Sequence, residues 1–340
     1  MVFNSSSFVY FFAIVYVVYW SLARNRSGQR WQNRFLLVAS YFFYGWWDWI
    51  FLGLIFLSTI TDYLVALGIQ NAPQANRRRR GVLLFISVAV NIGLLAAFKY
   101  YDFFVTSFVG MVRMFQPDAF GDGSEWLLLN VLLPVGISFY TFQTLSYTID
   151  VYRGIIPAER NFWDFSLYVS FFPQLVAGPI ERAGDLLPQL KARREFKWSD
   201  LEAGLWFVLL GFFLKTYVAD SLAPLVDQVY LSGKGVYGQM PALAANHGGA
   251  QVLIASVAFA FQIYGDFAGY STIAMGAARL MGIRLTLNFD TPEFSQNPAE
   301  LWRRWHSTLN RWLRDYVYIP LGGSKLGPFA KYFNLFMVFL

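Results

Sequence analysis

The residues best suited to chemistry lie in the stretch WRRWHSTLNRWLRDYVYIPLGG, residues 302–323. It contains His306, one of two histidines in the chain; the other is His247, in a segment rich in glycine and alanine. A neutral imidazole near physiological pH can accept a proton from a hydroxyl group, as a general base does. The arginines around His306 could bind phosphate or stabilise a developing negative charge on oxygen. This stretch is therefore the first candidate active site.

A helix over Trp302–Tyr316 is the element that would position this histidine. Apolar residues then recur at spacings of three and four and form one stripe. The stripe consists of Trp302, Trp305, Leu309, Trp312 and Tyr316. His306 falls at its edge, and residues three before, four after and eight after it share the same flank. These flanking residues are Arg303, Asn310 and Arg314. We expect the nearby cations to disfavour imidazolium and keep the ring neutral.

The same pattern also fits a helix without catalytic function. An amphipathic helix lying in the membrane interface has tryptophan anchors and a basic polar face. His306 would then only make a structural hydrogen bond. The residues alone leave both interpretations open.

The composition of the chain predicts a membrane protein. Apolar residues make up 56% of the 340 residues and charged residues 14%, against roughly 25% charged in ordinary globular chains. Apolar runs approach the ~20 residues that cross a bilayer, and they lack the alternation of a barrel strand. We therefore expect an all-α, polytopic helical bundle, in which each span satisfies its own backbone hydrogen bonds.

Ten apolar runs mark the candidate helices. They are Phe8–Leu22, Phe35–Ile50, Phe51–Ile69, Gly81–Phe98, Phe103–Phe115, Leu127–Val151, Phe165–Gly178, Leu201–Ala219, Val252–Leu280 and Tyr332–Leu340. We expect a tight break near residues 47–49, a kink at Pro134 and Gly136, and a broken or re-entrant segment at Pro173. Phe103–Phe115 is short enough to be a tilted or partial span. Phe8–Leu22 lacks a basic leader and a cleavage site, so it is expected to be a retained span.

Asp266 lies inside the apolar run Val252–Leu280, where a charged group is costly and therefore a functional candidate. The alternative is a hydrogen bond to a neighbouring helix. Gly265 and Gly269 beside it would allow two helices to approach closely.

Several kinds of site are excluded or disfavoured. The chain has no cysteine, which removes disulfides, thiolate nucleophiles and cysteine metal ligands. With its two histidines far apart, no metal site is predicted. The basic residues form four clusters separated by apolar runs, which argues against nucleic-acid binding. The clusters are Arg24, Arg26, Arg30 and Arg34; Arg77 to Arg80; Arg182, Lys191, Arg193, Arg194 and Lys197; and Arg303, Arg304, Arg311, Arg314 and Lys325.

These clusters fit either of two roles. Cytoplasmic loops carry an excess of basic residues, and a site for a phosphate-bearing cosubstrate would also be basic. Placing all four in the cytoplasm puts the N-terminus and the loop Ser232–Gly249 outside. His247 is then expected to be an exposed loop residue.

Four stretches of the chain resemble the membrane-bound O-acyltransferase family, in particular its bacterial branch typified by alginate O-acetyltransferases. They are LLPVGISFYTFQTLSYTIDVYRG (132–154), FFPQLVAGPIERAGDLLPQL (171–190), QIYGDFAGYSTIAMGAARLMGIRLTLNFDTP (262–292) and the stretch that begins WRRWH. Their order and spacing fit the family from about Tyr41 onward. The resemblance implies a single multi-span domain over residues 1–340, with a central tunnel and an interfacial or re-entrant helical segment near residues 293–325.

The resemblance also implies an activity. Acyl-CoA, as a cosubstrate rather than a permanent cofactor, would give its acetyl or other acyl group to a hydroxyl outside the cytoplasm. The acceptor would be an exopolysaccharide such as alginate or cellulose, reached directly or through a periplasmic relay protein, at the bacterial inner membrane. His306 matches the family's histidine in this block. The supporting residues would be Asp266, Asn288, Arg303, Arg304, Asn310, Arg314 and Asp315.

One departure from the family pattern concerns a second histidine, which members carry in an apolar segment after the WRRWH block. In the family this second histidine is usually regarded as the main catalytic one. Residues 332–340, YFNLFMVFL, resemble the beginning of that segment, so we expect the natural chain to continue beyond it. The alternatives are that His306 acts alone or that the protein is inactive. Three other functions stay open: a transporter or flippase, a non-enzymatic scaffold for polysaccharide modification, and D-alanyl transfer to teichoic acid.

Overall fold

The fold is known from a computed structural model that describes residues 1–23, 28–116, 127–129, 134, 136–230 and 247–339. Within these ranges the regular elements are helices and no β-strand forms, which confirms the predicted all-α class. The α-helices are α1 (Ser6–Leu22), α2 (Gly28–Gly45), α3 (Phe51–Asn71), α4 (Arg77–Leu95), α5 (Tyr101–Phe115), α6 (Ile137–Arg153), α7 (Phe162–Ser170), α8 (Phe172–Leu175), α9 (Ala183–Lys191), α10 (Trp198–Phe212), α11 (Asp220–Tyr230), α12 (Gly249–Leu280), α13 (Pro298–Arg304), α14 (Ser307–Leu313) and α15 (Pro328–Phe339). Arg24 and Arg26 of the first basic cluster lie outside the described residues.

Among the described residues, four helical runs are long and apolar enough to cross a membrane, as judged by length and composition. They are Phe51–Asn71, Arg77–Phe115, Trp198–Tyr230 and Gly249–Leu280. Helix α1 is apolar but shorter, with 17 residues. The chain is therefore a multi-pass membrane protein. The central tunnel and the single domain over residues 1–340 stay predictions.

Two of the long runs contain π-helical turns, and the first of these turns joins two segments that the sequence predicted as separate. The segment Ala96–Tyr100 is π-helical and links α4 to α5, so Phe103–Phe115 continues the preceding span. The prediction of a separate partial span there is wrong. A π-helical turn widens the helix while keeping its backbone hydrogen bonds. The segment Phe213–Ala219 joins α10 to α11 in the same way.

Of the three helix interruptions that the sequence predicted, two are present. Helix α2 ends at Gly45 and α3 begins at Phe51, which confirms the break near residues 47–49. Helix α8 begins at Phe172 with Pro173 in its first turn, where a missing N–H is tolerated. The kinked helix over Leu127–Val151 is wrong, since α6 starts only at Ile137. Residues 130–133 and 135 of that run lie outside the described residues.

Gly136 explains this late start. It precedes α6 in the left-handed conformation, with φ 77°. A residue in that conformation cannot continue a right-handed helix, so the chain turns into α6 instead of bending within it.

The chain divides into two compact units, each described here by itself. One unit comprises Leu37–Val176 and Arg182–Leu187. Its centre is Asp62 on α3, which is fully buried. The carboxylate of Asp62 accepts hydrogen bonds from Ser87, from Asn91 Nδ2 at 2.7 Å and from Thr148 Oγ1 at 3.0 Å. These donors on α4 and α6 compensate the desolvation of a buried carboxylate, which would otherwise be costly.

The other unit comprises Met1–Leu36, Ala177–Glu181 and Pro188–Leu340, and it contains the candidate site. Helix α12 packs closely along the run from α10 to α11. A Cβ atom added to Gly269 would lie 2.9 Å from the backbone nitrogen of Lys215, and one added to Gly265 would lie 2.8 Å from the carbonyl oxygen of Leu214. The close helix approach expected at these two glycines is thus present.

Candidate active site

His306 lies at a break between two short helices. Helix α13 ends at Arg304 and α14 begins at Ser307, so the predicted single helix over Trp302–Tyr316 is wrong. Trp305 is extended, and His306 is left-handed with φ 44° and ψ 51°. A left-handed non-glycine residue costs roughly 1–3 kcal/mol and persists only where its surroundings hold it.

Hydrogen bonds on both sides hold the break in place. The Ser307 N–H donates to the carbonyl oxygen of Asn288 at 2.8 Å, and the Asp290 N–H donates to that of Arg304 at 3.0 Å. Asn310 Nδ2 donates to the carbonyl oxygens of Trp302 and Trp305, the latter at 2.7 Å. Asn310 therefore caps the C-terminal end of α13. This is a structural role, whereas Asn310 was expected beside His306 as a supporting residue.

The imidazole of His306 is enclosed by aromatic rings and is 8% exposed. The ring of Phe267 stands edge-on to it at 4.8 Å between centroids, and that of Phe289 lies nearly parallel at 6.3 Å. Burial in this setting lowers the pKa of His306 to about 4, because imidazolium loses its hydration. The ring is neutral as expected, but the cause is desolvation and not the neighbouring cations.

Asn288 fixes the orientation of this ring. It is buried, and its Oδ1 lies 2.8 Å from Nδ1 of His306. The same Oδ1 accepts the hydroxyl proton of Thr308 at 2.8 Å, and Thr308 Oγ1 in turn accepts the Ile180 N–H at 3.2 Å. Since an amide oxygen only accepts, the proton of the neutral imidazole is assigned to Nδ1. Nε2 then carries the basic lone pair.

The amide nitrogen of Asn288 is the other notable atom here. Asn288 Nδ2 is buried and finds no hydrogen-bond partner within the described part of the chain. A buried donor without a partner costs roughly 1–3 kcal/mol and calls for an explanation.

Three of the expected supporting residues line one groove of 760 Å³, although they do not share a helix face. Arg303, Asn310 and Arg314 lie on its wall with Ser307 and Arg311. Residues of α15, among them Leu335 and Phe339, form an apolar side of the same groove. The groove thus combines basic and apolar walls next to the residue that follows His306.

The remaining expected residues have other partners. Arg304 pairs with Glu300 at 2.6 Å, and Asp315 pairs with Arg314 at 2.7 Å. Asp266 pairs with Lys215 at 2.6 Å, whereas its neighbour Phe267 is the residue that packs on the His306 ring.

Sequence reasoning missed Thr308, Phe267 and Lys215. Lys215 could have been found by the argument used for Asp266, because it too is a charged residue within an apolar run, Leu201–Ala219. Thr308 and Phe267 carry no such signal. A threonine next to an aromatic stripe and a phenylalanine in an apolar span are what packing alone would place there.

His247 is half-buried and directly precedes α12. It was expected to be exposed. The rest of the loop Ser232–Gly249 lies outside the described residues up to residue 246.

Comparisons with known proteins give the family context of this geometry. Residues 156–340, which include the whole candidate site, match the model of the membrane-bound O-acyltransferase family. The chain is 38% identical over 340 residues to a probable alginate O-acetylase of Pseudomonas putida, covering 100% of this chain and 65% of that relative. It is 32% identical over 368 residues to a peptidoglycan O-acetyltransferase of Helicobacter pylori, with the same coverage of 100% and 65%.

A more distant relative is a teichoic acid D-alanyltransferase of Streptococcus thermophilus. It is 31% identical over 200 residues, which cover 57% of this chain and 45% of that relative. The chain spans 65% of the length of the first relative and 61% of that of the next, a probable alginate O-acetylase of Pseudomonas aeruginosa.

Proposed function

Because this chain belongs to the membrane-bound O-acyltransferase family, we propose that it transfers an acyl group from acyl-CoA to a hydroxyl of a polysaccharide. Two relatives, a probable alginate O-acetylase and a peptidoglycan O-acetyltransferase, support acetyl as the group and a polysaccharide as the acceptor. Both matches extend over the full chain, whereas the D-alanyltransferase match covers 57% of it.

The observation that carries this proposal is the pair formed by His306 and Asn288. Hydrogen bonding of Nδ1 to Asn288 leaves Nε2 to accept a proton. In the proposed reaction the acceptor hydroxyl oxygen attacks the thioester carbonyl carbon while its proton passes to Nε2. The carbon–sulfur bond then breaks, the ester is formed, and the CoA thiolate takes up the proton.

A pKa of about 4 makes His306 a weak base. Complete deprotonation of the hydroxyl before attack would therefore be unfavourable. Proton transfer in step with the attack avoids this, since the hydroxyl becomes far more acidic as its oxygen bonds to the carbonyl carbon. Asn288 Oδ1 would stabilise the imidazolium as it forms, because its bond to Nδ1–H becomes charge-assisted.

The groove beside the histidine supports acyl-CoA as the donor. CoA carries several phosphate charges, and arginine binds phosphate through paired, charge-assisted hydrogen bonds. Arg303, Arg311 and Arg314 lie on one groove with an apolar opposite side, which fits a ligand with a charged head and a long uncharged arm. Transfer to an acceptor outside the cytoplasm, through a tunnel in the inner membrane, completes the proposal. The acceptor would be reached directly or through a periplasmic relay protein.

The proposal is tested with the protein purified into nanodiscs of phosphatidylethanolamine and phosphatidylglycerol. Acetyl-CoA and polysaccharide are added, and free thiol release and ester formation are both measured. Coupled appearance of thiol and ester supports the acyltransferase. Absence of thioester consumption would favour a transporter or a scaffold. Consumption of a D-alanyl carrier thioester but not of acetyl-CoA would favour teichoic acid modification.

Substitution of Arg311 tests the donor groove. Arg311→Gln removes one charge-assisted contact to phosphate, worth roughly 1.5–3 kcal/mol, so we expect KM for acetyl-CoA to rise about 10-fold or more. The value of kcat should stay within about 3-fold. Arg284→Gln is the matched control, because it removes the same charge from an exposed side chain outside this groove. An unchanged KM in Arg311→Gln, or an equal rise in both variants, would remove the groove from donor binding.

A further inference from the structure

A second cavity of 380 Å³ is lined in part by Phe267, one of the aromatic rings that enclose His306. The residues that line it, among those the structure describes, are Val2, Asn4, Ala177, Lys215, Asp266, Phe267 and Tyr270. We propose that this cavity binds an uncharged, hydroxyl-rich acceptor, a neutral sugar unit in preference to a uronate. This inference rests on the proposed acyl transfer and names the acceptor's site and chemical class.

The polar wall of the cavity, formed by Lys215 and Asp266, depends on an irregular helical segment. Lys215 lies on the seven-residue π-helical segment Phe213–Ala219. Such segments are uncommon and occur frequently at functional sites. The absence of a side chain at Gly269, where a Cβ would lie 2.9 Å from Lys215 N, lets α12 approach this segment. Asp266 is thereby brought beside Lys215.

The charged groups of this wall retain hydrogen-bonding capacity. Lys215 Nζ donates to Asp266 Oδ1 at 2.6 Å and to Asp220 Oδ1 at 2.7 Å. An ammonium group has three donors, so one remains beyond these two bonds. The Asp266 side chain is 41% exposed, and a carboxylate accepts several hydrogen bonds. One sugar hydroxyl could therefore donate to Asp266 and accept from Lys215.

Two further polar groups complete the wall. Tyr270 OH accepts the Phe3 N–H at 3.0 Å, so its own proton is directed elsewhere and can be donated to a ligand. Asn4 adds an amide with donors and an acceptor. Rings and a few convergent polar groups around a space of this size are typical of sites for small uncharged ligands.

The charge balance decides between classes of sugar. Lys215, Asp220 and Asp266 together carry a net charge of −1 at neutral pH, from one cation and two anions. A uronate carboxylate placed against Asp266 would meet a like charge at close range, where such repulsion disfavours binding. The uncharged hydroxyl groups of a neutral sugar would meet no such repulsion from Asp266.

Phe267 connects this cavity with the base. Its ring lines the cavity and also stands edge-on to the His306 imidazole at 4.8 Å between centroids. A single aromatic ring therefore separates the acceptor cavity from the candidate base. Proton transfer needs an acceptor hydroxyl within about 3 Å of Nε2, so this ring has to move before a sugar in the cavity can react.

The test measures binding without any donor, so that it does not depend on turnover. Cellotriose and an alginate trisaccharide, which match in length and differ in charge, are titrated against the protein in nanodiscs by calorimetry. We expect cellotriose to bind and the alginate trisaccharide to bind at least about 10-fold more weakly. Asp266→Asn should weaken cellotriose binding about 10-fold, and Asn4→Ala, an exposed position, about 3-fold.

Asp220→Asn is the matched control. It also removes one of the two carboxylates that pair with Lys215, but Asp220 is not among the residues that line the cavity. The substitution should leave the Kd for the uncharged cellotriose within about 3-fold, and it should lessen the discrimination against the alginate trisaccharide because the net negative charge falls to zero. The proposal is overturned if cellotriose does not bind, if the alginate trisaccharide binds as tightly, or if Asp220→Asn weakens binding as much as Asp266→Asn. Acetyl-CoA consumption is followed separately in the same preparation. Consumption without cellotriose binding would refute this cavity and leave the proposed acyl transfer standing, whereas cellotriose binding without consumption would refute the proposed acyl transfer and leave a sugar-binding cavity.

Discussion

Replacing His306 with glutamine is expected to lower kcat for acyl transfer by about 10²–10⁴-fold, the usual contribution of a general base. Glutamine keeps a polar side chain of similar length but cannot accept and release a proton at neutral pH. The KM for acetyl-CoA should change little, because the imidazole is not among the residues that line the donor groove. Initial rates of thiol release in nanodiscs measure both constants.

The chain provides its own control for this substitution. His247 is the second of its two histidines and lies before α12. His247→Gln changes the same chemical group and should leave kcat within about 3-fold. Undiminished turnover in His306→Gln, in a protein that unfolds at the same temperature as the parent, would remove His306 from any essential role.

Replacing Asn288 with leucine is expected to have the second largest effect, a fall in kcat of about 10²-fold. This substitution removes the acceptor that keeps the proton on Nδ1 of His306 and orients the ring. Loss of a partner in a buried hydrogen bond costs roughly 1–3 kcal/mol, or about 5- to 150-fold. Thermal unfolding of the same samples separates lost activity from lost fold.

Thr308→Val is the matched control for Asn288. It removes the other hydrogen bond to Asn288 Oδ1 while leaving the bond to His306 in place. We expect a fall in kcat of less than about 5-fold. Equal losses in the Thr308 and Asn288 variants would mean that the network only maintains the local fold.

The lengths and positions of two apolar helices, α3 and α12, could be predicted well from the sequence, because each long apolar run satisfies its own hydrogen bonds in lipid. The predicted spans Phe51–Ile69 and Val252–Leu280 fall within α3 and α12 with ends displaced by a few residues at most. The π-helical turns were missed. Each shifts the periodicity by one residue, which a hydropathy pattern does not register.

The break at His306 could not be predicted from the apolar stripe. Spacings of three and four continue through Trp305 and Leu309, so the pattern is the same whether or not the helix is interrupted between them. The interruption depends on hydrogen bonds to residues 287–290, which are distant in sequence and have no periodic signature. Tertiary contacts there override the local helical preference.

The candidate site was predicted as a set of residues and not as an arrangement. The family resemblance read from four stretches is confirmed, and it selected Asn288 and His306 together. It could not indicate that their side chains meet at 2.8 Å. It also grouped Asp266 with them, whereas the structure pairs Asp266 with Lys215.

The protonation state of His306 provides the most direct test of this account. Histidine labelled with ¹⁵N is incorporated into the His247→Gln protein in nanodiscs, so that His306 alone carries the label. The ¹⁵N chemical shifts should show a proton on Nδ1 and none on Nε2 at pH 7. Because burial lowers the pKa to about 4, this neutral form should persist as the pH falls and be lost only near pH 4. A proton on Nε2 at pH 7, or titration near the ordinary value of about 6.5, would contradict a buried base held by Asn288.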